Sequence, residues 1–105
     1  MKRVLITGTN GRIGGMLMNV LRKSGEYEII ATARNADPSR GILDMNLLDM
    51  ERIMELTKGV DAIVHMAAYL RPGSEDFVEK IVPNNIVGVF YLYEAMRINH
   101  VKRMV

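Results

Sequence analysis

The sequence predicts an α/β fold, a mostly parallel sheet with helices on both of its faces. Two observations carry that expectation. Short apolar runs rich in β-branched residues alternate with amphipathic stretches along the whole chain, and strands joined through helical crossovers lie parallel. One run, Val60 to Met66, is apolar throughout apart from Asp61 and His65, which suits a strand covered on both sides.

Each element has its own signal. Val4-Leu5-Ile6-Thr7 reads as the first strand and is too short for the apolar core of a signal peptide. A glycine-rich turn follows, from Gly8 to Gly15. Ile13, Met16, Leu17, Val20 and Leu21 then recur at helical spacing, and are expected to form one stripe of an amphipathic helix. Ser24-Gly25 stops that helix, with Arg22 and Lys23 placed where cations favour a helix C-terminus. Tyr27 to Ala33 is the second strand. Asn35 to Arg40, containing Pro38, is a loop without a clear helix, and Gly41 to Met45 is a weak third strand. Asp49 caps a helix whose Ile53, Met54 and Leu56 face inward and which closes at Lys58-Gly59. After the fourth strand come a loop from Leu70 to Ser74, a long helix over 75–99 kinked or restarted at Pro83, and the start of a fifth strand at Val101 to Val105.

Composition narrows the function classes. A chain of 105 residues supports one small domain, here 1–105. Its 14 Lys and Arg against 12 Asp and Glu are spread along the sequence, so no nucleic-acid partner is expected. The one basic cluster, His100, Lys102 and Arg103, reads as a solvated turn. Without cysteine there is no disulfide framework, thiol chemistry or Cys-ligated zinc. His65 and His100 have no supporting carboxylate pattern, so no metal is expected. His65 itself reads as a packing residue. No apolar run approaches the ~20 residues needed to cross a bilayer, and the expectation is a soluble, cytoplasmic protein without a membrane partner. The nine methionines read as core filler.

The strongest signal is Thr7-Gly8-Thr9-Asn10-Gly11-Arg12-Ile13-Gly14, a Gly-x-x-Gly-x-x-Gly turn between a strand and a helix. Gly8 can adopt the dihedrals of a tight turn. Gly11 lacks the Cβ that would keep a diphosphate off the backbone, and Gly14 allows the helix to pack closely. Open N–H groups at the helix start, aided by its dipole, then hold phosphates. The residues assigned to the cradle are Gly8, Thr9, Asn10, Gly11, Arg12, Ile13 and Gly14; the alternative is a purely structural glycine turn. A P-loop is excluded, because Lys23-Ser24 lacks the preceding glycine.

With these residues the chain resembles the extended short-chain dehydrogenase/reductase family, which includes sugar-nucleotide epimerases and dehydratases. Asn46-Leu47-Leu48-Asp49 resembles the family's Asp-Leu-x-Asp, with Asn46 in place of the first Asp. The resemblance places Asn46 and Leu47 near an adenine. Gly59 to Ala68 is similar to the family's fourth strand, whose Ala67-Ala68 end lies beneath the cofactor. Asn85-Ile86-Val87-Gly88 resembles its Asn-x-x-Gly, which puts Asn85 near the active site. Val101 to Val105 resembles its fifth strand. The chain is also similar to the start of the uronate dehydrogenase-like and dihydroflavonol reductase-like branches. The implied fold is a Rossmann-like sheet of order 3-2-1-4-5 that stops after strand five. Tyr69 reads either as lining a nicotinamide pocket or as a loop tyrosine covering apolar surface.

The end of strand two bears on the cofactor. An NAD site usually carries Asp or Glu there to bind the ribose hydroxyls. This sequence has Ala33, followed by Arg34, whose guanidinium can pair with a 2′-phosphate. Thr32-Ala33-Arg34 also resembles the Thr-x-Arg of NADP-dependent branches, and Arg12 offers a second cation. The expected cofactor is NADP, with NAD the alternative.

The family's chemistry, as the resemblance implies it, uses a Tyr with a Lys four residues on, and a Ser or Thr. A nearby cation lowers the Tyr pKa toward operating pH. Tyr27, Tyr69, Tyr91 and Tyr93 are followed four residues later by Ala31, Gly73, Ala95 and Arg97, so none matches. The expectation is the cofactor-binding portion of an oxidoreductase or epimerase-like enzyme, inactive in hydride transfer by itself. The alternatives are a non-catalytic dinucleotide-binding or redox-sensing module acting through partner contacts, and an assembly fragment without cofactor. Self-association is expected through strand five or through the helix over 75–99, where Ile86, Val89, Phe90 and Tyr93 form a stripe.

Overall fold

A computed structural model describes residues 1–68 and 77–105, with backbone only at 77 and 78. The elements are β1 (Lys2–Thr7), α1 (Arg12–Ser24), β2 (Tyr27–Ala33), β3 (Ile42–Asp44), α2 (Met50–Leu56), β4 (Ala62–His65), α3 (Gly88–Asn99) and β5 (Arg103–Met104). The five strands form one sheet in the order β3-β2-β1-β4-β5. Every neighbouring pair is parallel, with Val4 opposite Ile29 on one side and opposite Ala62 on the other. This is the Rossmann-like order that the family resemblance implies.

β1 lies at the centre of the sheet, and its Val4 to Thr7 are all buried. Its side chains alternate between two cores. On one face Leu5 joins Ile53, Ile63, Leu92 and Ala95 beneath α2 and α3. On the other, Val4 and Ile6 join Met18, Ala31 and Ile42 beneath α1. Each such side chain contributes roughly 1.5–3 kcal/mol when fully buried. Asp61 extends the β1–β4 pairing at its entrance. Its carboxylate accepts from the Arg3 N–H at 2.7 Å, and its own N–H donates to the Arg3 carbonyl at 2.8 Å.

Helix ends follow the sequence closely. Gly25 takes φ +68° and returns its N–H to the Arg22 carbonyl, the left-handed stop expected at Ser24-Gly25. Asp49 caps α2 by accepting from the Arg52 N–H at 3.1 Å. At the other end the Thr57 hydroxyl donates to the Ile53 carbonyl at 2.7 Å. Asn99, the last residue of α3, donates its amide to Thr57 Oγ1 and to the Met54 carbonyl, fastening α3 to α2.

Three expectations change. The buried face of α1 is Gly14, Gly15 and Met18, while Ile13, Met16 and Val20 are about two-thirds exposed. The two glycines bring the helix backbone against the preceding turn, which rotates the larger apolar side chains outward. The exposed Met16 therefore does not act as core filler. The loop between β2 and β3 contains one 3₁₀ turn at Pro38–Arg40. Arg22 anchors it by donating to the Arg40 and Gly41 carbonyls at 2.7 and 3.2 Å, a role beyond complementing a helix dipole. The long helix is described from residue 77 onward. It passes through Pro83 by widening into π turns at Phe77–Ile81 and Pro83–Val87 before α3 begins. Proline has no N–H to give to the preceding turn, and next to it the Asn84 side-chain amide donates to the Lys80 carbonyl at 2.9 Å. The loop expected at Leu70 to Ser74, and the helix start at 75, lie outside the described residues. No helix among the described residues is long and apolar enough to cross a membrane.

Candidate dinucleotide-binding site

A cleft of about 570 Å³ opens at the C-terminal ends of β1, β2 and β4. Ligands of open parallel sheets bind at this edge. Its floor is the glycine turn. Gly8 has φ +70°, and a Cβ there would come within 2.7–2.9 Å of the Ala67 and Met66 backbone. A side chain at Gly14 would overlap the Gly8 carbonyl, so the helix packs on the turn itself. At Gly11 a Cβ would approach only the Gly8 carbonyl, at 3.2 Å, and would otherwise stand in the open cleft. Gly11 is also the N-cap of α1, with no side-chain cap and no acidic residue in the first turn. The N–H groups of Arg12, Ile13 and Gly14 have no intrahelical acceptors, and these residues line the cleft.

The other walls follow from the strand order. On the β2–β3 side are Arg34, Asn35, Met45, Asn46 and Leu47, and on the β4 side are Met66, Ala67 and Ala68, with Asn84 from the helical segment. Asn46 Oδ1 accepts from the Leu48 N–H at 2.9 Å, fixing a turn that presents the Asn46–Leu47 backbone to the cleft. Gly88 allows α3 to meet that turn, since a Cβ there would stand 2.9 Å from Leu47 Cβ. No Asp or Glu lines the cleft among the described residues; the charged residues that line it are Arg12 and Arg34.

Of the residues named from sequence, Gly8, Asn10, Gly11, Arg12, Ile13, Gly14, Arg34, Asn46, Leu47, Ala67 and Ala68 line this one cleft. Thr9 does not. It is fully buried behind the turn, and both its N–H and its hydroxyl donate to the Thr32 carbonyl at 3.0 Å. Asn85 is half-buried outside the lining, and its neighbour Asn84 takes that place. Tyr69 lies outside the described residues. The lining residues that sequence reasoning missed are Asn35, Met45, Met66 and Asn84. All four directly adjoin named residues, so a wider window around each motif would have included them.

Beneath Ala67 lies a hydroxyl node. Thr7 Oγ1 accepts from the Met66 and Ala67 N–H groups at 2.9 and 3.0 Å and lies 2.8 Å from His65 Nδ1. Two accepted bonds occupy both lone pairs of the hydroxyl, so its proton goes to Nδ1. Burial pushes the His65 pKa below its ordinary value of 6.5. The imidazole is thus neutral and carries its proton on Nε2.

Residues 4–105 match the model of the NAD dependent epimerase/dehydratase family. The chain is 35% identical over 107 residues to a uronate dehydrogenase of Pseudomonas putida, covering 98% of this chain and 39% of that protein. It is 32% identical to GDP-mannose 3,5-epimerase 1 of Oryza sativa subsp. japonica, covering 96% of this chain and 29% of that one. Among solved structures, a uronate dehydrogenase mutant of Agrobacterium tumefaciens complexed with NAD superposes with a TM-score of 0.78 at 28% identity. That match covers 99% of this chain and 39% of the other. L-threonine dehydrogenase from Clostridium difficile gives 0.84 at 29% identity, covering 98% and 35%. The chain therefore spans well under half the length of these relatives. With the glycine turn, the strand order and the family model in agreement, the chain belongs to the NAD dependent epimerase/dehydratase family.

Proposed function

We propose that this chain is the dinucleotide-binding portion of an NAD(P)-dependent oxidoreductase or epimerase-like enzyme and that it prefers NADP. The observation that carries the preference is the charge of the cleft, with two guanidinium groups, Arg12 and Arg34, and no carboxylate among the described lining residues. A 2′-phosphate pairs with a guanidinium fork. A ribose bearing two free hydroxyls is instead favoured by an acid at the end of β2, where this chain has Ala33.

In this reading the first-turn N–H groups of α1 hold the diphosphate, and Gly11 leaves room for it. Asn46 and Leu47 meet the adenine, as the family resemblance implies. Ala67, Ala68 and Asn84 lie toward the nicotinamide, with Asn85 beside them. A bound nicotinamide supplies the hydride acceptor or donor. The chain's own residues bind and orient the cofactor, and no Tyr-x-x-x-Lys is present to move the substrate proton. Hydride-transfer turnover is therefore expected to be absent from the 105-residue chain by itself. The chain also self-associates in this reading, through the exposed stripe of α3 or through β5.

Calorimetric titration with both cofactors tests the preference. The expected result is NADP bound about tenfold more tightly than NAD, a difference of about 1.4 kcal/mol. Arg34→Ala is expected to erase that difference while leaving NAD binding in place. Tighter binding of NAD by the unaltered chain would refute the assignment of Arg34.

A further inference from the structure

We propose that Thr9 is a positioning residue for cofactor discrimination, setting the spacing between the phosphate cradle and the Arg34 guanidinium. The inference rests on the reading of Arg34 as the 2′-phosphate ligand. It explains why a fully buried threonine stands inside a turn whose other residues face the cleft.

The geometry is a short mechanical chain. The β1–β2 register runs as far as Ile6 opposite Ala31. Past that point, Thr9 ties the turn to β2. Its N–H and its hydroxyl each donate to the Thr32 carbonyl at 3.0 Å. A carbonyl oxygen has two lone pairs, so one residue saturates it. Thr32 is held in turn, because its hydroxyl donates to the Ile6 carbonyl at 2.9 Å. Both threonines are 0% exposed, so water does not compete for these bonds. On its other side, the Thr9 carbonyl supports α1, where a Cβ on Gly15 would lie 3.1 Å from it. Thr9 is thus held between the helix that offers N–H groups to phosphate and the strand that leads, two residues on, to Arg34.

Only a cofactor gripped at both places reads that spacing. NADP would engage the cradle through its diphosphate and Arg34 through its 2′-phosphate. NAD would engage the cradle and the adenine contacts at Asn46 and Leu47 as NADP does, but would have no group for Arg34 to pair with. Loss of the hydroxyl leaves one buried lone pair of the Thr32 carbonyl unpaired and lets the turn shift relative to β2. The effect should fall on NADP and largely spare NAD.

The test measures NAD and NADP affinities of the whole chain by calorimetry, for the unaltered protein, Thr9→Val, Thr9→Ser and Arg34→Ala. Thr9→Val keeps the shape and removes the hydroxyl, and it is expected to weaken NADP about tenfold while NAD changes by less than about twofold. Thr9→Ser restores the hydroxyl and should restore the ratio. Should the valine variant fail to fold, Thr9→Ala removes the same hydroxyl and gives the same readout. Equal weakening of both cofactors, no change in either, or failure of serine to rescue overturns the role of Thr9. If Arg34→Ala abolishes the preference while Thr9→Val leaves it intact, this inference alone falls. If the unaltered chain does not prefer NADP, or Arg34→Ala leaves NADP binding unchanged, the underlying reading falls and this inference with it.

Discussion

The three threonines at the sheet's C-terminal edge, Thr7, Thr9 and Thr32, are essentially inaccessible to solvent. Each hydroxyl is spent inside the protein. A buried polar group without a partner costs about 1–3 kcal/mol, so these bonds fix where the backbone of the site lies. The Thr7 node has a pH consequence. His65 accepts the Thr7 proton while neutral, and burial holds its pKa below 6.5. As pH falls past 6.5 the unfolded chain takes up a proton at this position before the folded chain does. The unfolded state then binds more protons, and stability declines until the folded-state pKa is passed. Thermal melts should therefore show a midpoint that falls between about pH 7 and pH 5. His65→Asn offers a non-titrating acceptor to the Thr7 hydroxyl and should remove that part of the decline. An equally steep decline in the variant would assign the pH dependence to other groups. From sequence, His65 is a packing residue at the end of a strand; its partner Thr7 lies 58 residues earlier, a separation that local pattern does not reveal.

Among the elements, the strand–turn–helix unit was the most legible. The reason is that its glycines carry steric requirements that spacing alone expresses. Gly14→Ala separates those requirements from helix propensity. Alanine favours a helix over glycine by about 1 kcal/mol, yet here its Cβ would strike the Gly8 carbonyl, which is backbone and cannot swing aside. The clash should win, with a net loss of about 1–3 kcal/mol and dinucleotide binding weakened by tenfold or more. Gly25→Ala is the control. It sits at φ +68° with nothing near a new Cβ, so it should cost about 1 kcal/mol of stability and leave binding unchanged. Calorimetry and melts on both variants check this, and a Gly14→Ala protein that binds normally would show the turn to be less constrained than described. Other elements were less legible for physical reasons. The apolar spacing of α1 identified a helix, but the inward face was decided by Gly14 and Gly15, which hydrophobicity patterns pass over. Pro83 announced an irregularity, but its position alone does not say that the helix widens into π turns on both sides of it.

At the scale of the whole molecule, the parallel sheet followed from the alternation of strands and helices, its strand order from the family resemblance, and the location of the cleft from the glycine turn. Which surfaces stay open could not be read that way, because it depends on how far each helix reaches across the sheet. Two apolar stripes remain exposed: Ile13, Met16 and Val20 on α1, and Ile86, Phe90 and Tyr93 along the helix that ends in α3. The second is the stripe expected to mediate self-association. A net charge of only +2 gives little mutual repulsion between copies. Covering the half-exposed side chains of that stripe on two copies would yield about 1 kcal/mol each, comparable with the roughly 4–15 kcal/mol lost on association. Self-association through this stripe is therefore expected to be weak and reversible, and is to be sought at protein concentrations of about 10–1,000 μM. Sedimentation equilibrium across that range should show the transition. Phe90→Asp, at a position 65% exposed, should abolish it without lowering the melting temperature by more than a few degrees. A dimer that survives Phe90→Asp would move the interface to the outer edge of β5, whose far side pairs with no strand among the described residues. A chain that stays monomeric to about 1 mM would refute self-association by either surface.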